Sequence, residues 1–141
     1  MSSDQFNSDV VASLMEAFPD VTCNTEPLGG RVLVQLRRMA PKTKSGIVLV
    51  EDTRDTVKWN NQVGKVVALG PLAFRNRETK ELWPEGAWVK LGDYVRVPRW
   101  DGDRIEVPVK DEDPVIFVLF NDTQLLGRIT GDPLQQKVYI L

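Results

Sequence analysis

Chemistry needs side chains that attack, hold a metal or move a proton, and this sequence is poor in them: it has no His and a single Cys, Cys23. Zinc takes three or four ligands from Cys, His and carboxylates, and a thiol or hydroxyl nucleophile ordinarily borrows an imidazole as base. Neither a protein-only zinc site nor a nucleophile with its base is expected. No GxGxxG turn offers a cradle for a dinucleotide. The acidic run Asp111, Glu112 and Asp113 lies beside Pro114 and reads as solvated charge in an exposed turn rather than as an acid–base pair. No catalytic residue, metal, cofactor or enzyme activity is therefore expected. What remains is recognition by burial. Ile47, Val48, Leu49 and Val50 form an apolar run with Gly46 as an immediate swivel, Lys42 and Lys44 before it, and Glu51, Asp52 and Asp55 behind. Such a run either hooks into a partner's apolar groove or is an ordinary strand too short to show alternation.

Charge narrows the partners. With 18 basic against 20 acidic residues and a formal charge of -2, no long-range field gathers a polyanion. Trp59, Trp83, Trp88 and Trp100 do alternate with Arg96, Arg99 and Arg104, as stacking platforms and phosphate partners would. Asp93, Asp101, Asp103 and Glu106 sit among those arginines, so packing is the preferred reading and no nucleic-acid partner is expected. The lone Cys23 cannot staple the fold, and no basic leader precedes an apolar stretch, which points to a reducing cytoplasm. The longest apolar run, Val115 to Phe120, falls far short of the ~20 residues of a membrane helix.

The elements that must carry this hook follow from periodicity. A chain of 141 residues, 42% of them apolar, provides one compact domain with room for tails. Within residues 1–26, Val10, Val11, Leu14, Met15 and Phe18 have helical spacing; Ser8 or Asp9 can cap that helix and Pro19 must end it. Its apolar stripe is expected to pack on its own domain or on a neighbour. From Pro27 the period becomes two, predicting short strands at 31–36, 63–69, 88–97, 105–109 and 115–120. Turn residues between them (Gly29-Gly30, Gly70-Pro71, Gly92-Asp93, Asp101-Gly102) predict an all-β fold, a small closed barrel. Residues 39–62 form a connection well beyond the usual ~12–15 residues, and loops of that length carry function. Residues 131–141 read as an appended tail ending in the apolar cluster 138–141.

In the order and spacing of several motifs, residues 27–130 resemble the small co-chaperonins of GroES type. The family's Pro-Leu pair and first strand are matched by Pro27, Leu28, Arg31, Val32, Leu33 and Val34, and its mobile-loop Gly-Ile-Val-Leu by Gly46, Ile47, Val48 and Leu49. A Gly-x-Val strand is matched by Gly64, Val66, Val67, Ala68, Leu69 and Gly70, and a Val-Lys-x-Gly-Asp turn by Val89, Lys90, Gly92 and Asp93. Two departures stand out: Gly29-Gly30 replaces the usual His-Asp, and Gln124 replaces the acid before Leu125-Leu126. Residues 71–91, where the family places a roof-like hairpin, are longer and rich in Trp. Such drift suits a divergent or virus-encoded member.

The resemblance implies a GroES-like β-barrel that assembles into a sevenfold ring and caps the folding chamber of a large GroEL-type chaperonin, with ATP on that partner and not on this chain. Gly46, Ile47, Val48, Leu49 and Val50 would be the chaperonin-binding segment. Ring contacts would fall on Leu28, Val32, Leu125, Leu126 and Ile129, for each of which packing within one subunit is an equal alternative. The rival function is a ring-forming structural adaptor of a larger assembly, such as a viral one, with the loop as a docking arm.

Overall fold

The computed structural model describes residues 14–38 and 61–135. Ser8, Asp9, Trp59, the segment 46–50 and the cluster 138–141 lie outside the described residues. Among the described residues six strands form: β1 (Arg31–Leu36), β2 (Val63–Leu69), β3 (Tyr94–Arg96), β4 (Asp103–Val109), β5 (Glu112–Asn121) and β6 (Gly127–Arg128). They make one antiparallel sheet in the order β4-β5-β1-β2-β3-β6. β1 lies at its centre, pairing Val34 with Val118 of β5 on one side and Leu36 with Gly64 of β2 on the other.

Alternation along β1 sends Val32, Val34 and Leu36 to one face, where they meet Val66, Val95, Ile116, Val118 and Phe120 in the main core. Leu33 points to the opposite face and packs with Val115 and Phe117, against Val21, Cys23 and Val67. β1 is therefore apolar on both faces, which is why every residue after Arg31 is buried. Polar Gln35 belongs to the second face and is satisfied there: its Nε2 donates to the Pro19 carbonyl at 2.9 Å, tying down the chain that follows the N-terminal helix.

The all-β expectation holds, with β4 and β6 at the two ends of the ladder. Two details depart from the expectations. The strand expected at 88–97 shrinks to Tyr94–Arg96, because the Lys90 amide donates to the Asp93 carboxylate at 3.0 Å and Gly92 takes φ 90, folding 90–93 into a turn. Asp111 (φ 61) does sit in a turn, but Glu112 and Asp113 open β5. Pro108 and Pro114 both fall in the stretch where the β4–β5 register slips, between Val107↔Val115 and Val109↔Glu112, consistent with two residues that cannot donate to a ladder.

Residues 71–91 close the top of the core. Their hairpin is reduced to one bridge, Arg75↔Leu82. Phe74, Trp83 and Trp88 form a triangle of rings, the Phe74 centroid 6.0 and 5.9 Å from the two indoles, which are 4.9 Å apart. The anchor is Asp122, 2% exposed, whose carboxylate accepts the Phe74 amide at 2.9 Å and the Arg77 guanidinium at 2.9 Å. Here the Gly29-Gly30 departure acquires a reason. Gly29 takes φ 61, and a Cβ on Gly30 would collide with the Arg77 guanidinium that reaches over it to Asp122.

Candidate functional site

The candidate docking segment has two feet, one at each end of 39–60, and both are built from the sheet's central strands. The chain leaves β1 at Leu36 and returns into β2 at Val63, and Leu36 is paired across the ladder with Gly64, so the feet are neighbours in a fixed frame. At the departing foot the Arg37 amide donates to the Val63 carbonyl at 2.9 Å, extending the β1–β2 ladder by one bond. At the returning foot the buried Asn61 accepts the Val63 amide on its Oδ1 at 3.0 Å, an Asx turn that fixes the entry into β2.

Two arginines hold the departing foot to the rest of the molecule. Arg37 is 6% exposed, and its guanidinium donates to the Pro133 carbonyl at 2.7 Å. Burial, and then the positive charge of Arg96, pull its pKa below the ordinary arginine value. Arg38 makes more contacts. Its amide donates to the Ala17 carbonyl at 2.8 Å, and its side chain donates to the Glu16 carbonyl at 3.0 Å, the Asp113 carbonyl at 3.2 Å and the Glu112 carboxylate at 3.4 Å. Beneath both feet lies an apolar cluster in which Ala17, Phe18 and Val63 are buried, with Leu14, Tyr94, Ile129 and Leu134 packed against them. The Phe18 and Tyr94 rings stand 5.1 Å apart. The helix end is regular there, the Phe18 amide donating to the Leu14 carbonyl at 2.7 Å before Pro19 stops it.

The residues expected at a ring contact divide. Val32 is fully buried in the main core and Leu125 joins it, so both are occupied within their own chain. Leu28 and Leu126 are 68% and 63% exposed. Ile129 is partly buried against the Phe18 cluster. Of the tryptophans considered for stacking on nucleic acid, among the described residues Trp83 and Trp88 pack on Phe74 while Trp100 stands exposed on a separate turn. Among the described residues no cluster of His, Cys, Asp and Glu could hold a metal ion, and no helix is long and apolar enough to cross a membrane.

Sequence reasoning missed Arg37, Arg38, Asn61 and the Arg77–Asp122 pair. The adjacent arginines ending an apolar strand were a visible signal, but five of the six acceptors named above are backbone carbonyls distant in sequence, which no residue type announces.

The comparisons with known proteins agree with this arrangement. The profile of the family described as Chaperonin 10 Kd subunit matches residues 24–129. The mitochondrial 10 kDa heat shock protein of Saccharomyces cerevisiae is 36% identical over 106 residues, covering 75% of this chain and 89% of that protein. The co-chaperonin GroES of a Caulobacter species is 36% identical over 103 residues, 73% of this chain and 94% of the relative. That of Symbiobacterium thermophilum is 33% identical over 109 residues, 77% and 99% respectively. With one antiparallel sheet whose two central strands frame a long connection, and with that likeness running across the whole sheet, the chain belongs to the Chaperonin 10 Kd subunit family and is a co-chaperonin.

Proposed function

We propose that this co-chaperonin caps the folding chamber of a GroEL-type chaperonin in the cytoplasm, as a ring of seven copies that grip the partner through Gly46, Ile47, Val48, Leu49 and Val50. The observation that carries the reading is the family match from 24 to 129, which takes in both feet of the segment and the sheet between them. The chain's part is non-catalytic: ATP acts on the partner. Burying Ile47, Val48 and Leu49 is worth ~1.5–3 kcal/mol each, about 5–8 kcal/mol gross per segment. Ordering some six residues at ~1–2 kcal/mol apiece costs about as much or more, so a single segment is a weak ligand. A ring presents the remaining segments at high effective concentration, and attachment becomes firm yet reversible. Reversibility matters because release must follow a change of state in the partner. Exposed Leu28 and Leu126 are suited to contacts between copies, and Ile129 adds a partly covered flank.

The test mixes the purified protein with a GroEL-type chaperonin and nucleotide, and measures co-elution and refolding of a stringent client. Leu49→Asp is expected to abolish capping while leaving the assembly folded, since docking would strand a carboxylate in an apolar groove. Normal capping by that variant overturns the assignment of the segment.

A further inference from the structure

The family match stops at residues 24 and 129, yet the chain on either side of it folds back onto the same place. From the N-terminal side, the carbonyls of Glu16 and Ala17 accept the side chain and amide of Arg38, while Ala17 and Phe18 pack on Val63. From the C-terminal side, the Pro133 carbonyl accepts the guanidinium of Arg37, and Leu134 joins the same cluster. Arg37 and Arg38 are the residues by which the chain leaves β1, and Val63 is the residue by which it enters β2. Both flanking segments therefore reach the feet of the docking segment.

We propose that residues 14–18 and 133–135 form a collar around the feet of the docking segment, with Arg37 and Arg38 as positioning residues that set its affinity for the chaperonin. The inference rests on the capping reading above. Its physical basis is preorganisation: a foot already fixed in the free protein costs no further entropy when the segment docks. Each residue released from the collar must be ordered again on binding, at an expense that corresponds to about a tenfold weaker complex.

The experiment compares the full chain with Arg38→Met, Arg38→Lys and a chain ending at residue 131, which lacks the Pro133 carbonyl and Leu134. Backbone hydrogen exchange is followed at the Arg37, Arg38 and Val63 amides and at interior β5 amides, alongside the dissociation constant for a nucleotide-loaded GroEL-type chaperonin. Arg38→Met and the shortened chain are expected to speed exchange at the three foot amides about tenfold, leave β5 unchanged and weaken the complex about tenfold. Arg38→Lys, which keeps a cationic donor, is expected to recover most of the loss. The proposal is overturned by faster foot exchange with affinity within twofold of the parent, by unchanged foot exchange, or by weakening that accompanies equally faster exchange in β5. Failure of the parent itself to bind the chaperonin overturns the capping reading and this coupling together. It is distinguishable because the foot amides still respond to the variants.

Discussion

Asp122→Ala removes a buried polar side chain that fastens residues 71–91 to the rest of the molecule. In the parent its carboxylate accepts the amide of Phe74, a residue 1% exposed, at 2.9 Å. Without it that amide is buried with no acceptor, at about 1–3 kcal/mol. The second contact, to Arg77, contributes less, because the Arg77 side chain is 48% exposed and solvent screens the pair; about 0.2–1 kcal/mol is expected. The sum, partly offset by no longer burying a charge, is a loss of about 2–3 kcal/mol. Asp122→Asn keeps an acceptor for the Phe74 amide and forfeits only the charge, so about 1 kcal/mol is expected. Urea unfolding at fixed protomer concentration gives both values, and fixing the concentration matters because assembly shifts apparent stability. Indole fluorescence adds a local readout, since Trp83 and Trp88 pack on Phe74 and must become more accessible to quencher in the Ala variant. Equal losses for Ala and Asn, or an Ala loss below about 0.5 kcal/mol, would refute the reasoning.

Gly30→Ala is expected to displace the Arg77 guanidinium from Asp122, costing about 0.5–1 kcal/mol and adding nothing once Arg77 is also Ala; a double-mutant cycle measures this. Phe18→Ala should lower stability by about 3 kcal/mol in a denaturant titration, because it empties the middle of the cluster that Phe18 forms with Ala17 and Val63. Burial, and then the charge of Asp132, raise the pKa of Tyr94 above its ordinary value of 10.0. The unfolded chain then loses this proton first as pH rises, so stability is intact below about pH 10 and falls above it. Tyr94→Phe removes that component, and the difference between the two pH–stability curves should be flat below pH 10 and open above it.

Much of the site was legible. The β-branched alternation of 31–36 and 63–69 placed the two central strands, and the improbable length of 39–62 marked what they carry. The strand expected at 88–97 failed because Trp88, Val89 and Leu91 look like strand residues, while a side-chain bond from Asp93 to the Lys90 amide, not visible in apolar pattern, folds them into a turn. The helix before Pro19 was readable from spacing. That its end packs on Val63 and not on a neighbour was left open, since a stripe shows that it will be covered without showing by what.

By itself the sequence narrowed the chemistry to be expected: without imidazoles and with one thiol, it pointed to recognition by burial and offered Ile47 to Val50 as the candidate segment. It also located β1, β2, β4 and β5, because side-chain period is a local property that a short window reveals. Only the tertiary structure decided that Arg37 and Arg38 reach the carbonyls of Pro133, Ala17 and Glu16, that Asp122 ties Phe74 and Arg77 to the sheet, and that Leu28 is exposed while Val32 is buried. The reason is the same in each case: every backbone carbonyl is chemically alike and every apolar side chain can face in or out. Which carbonyl accepts and which side chain is covered depend on residues brought together from far along the chain.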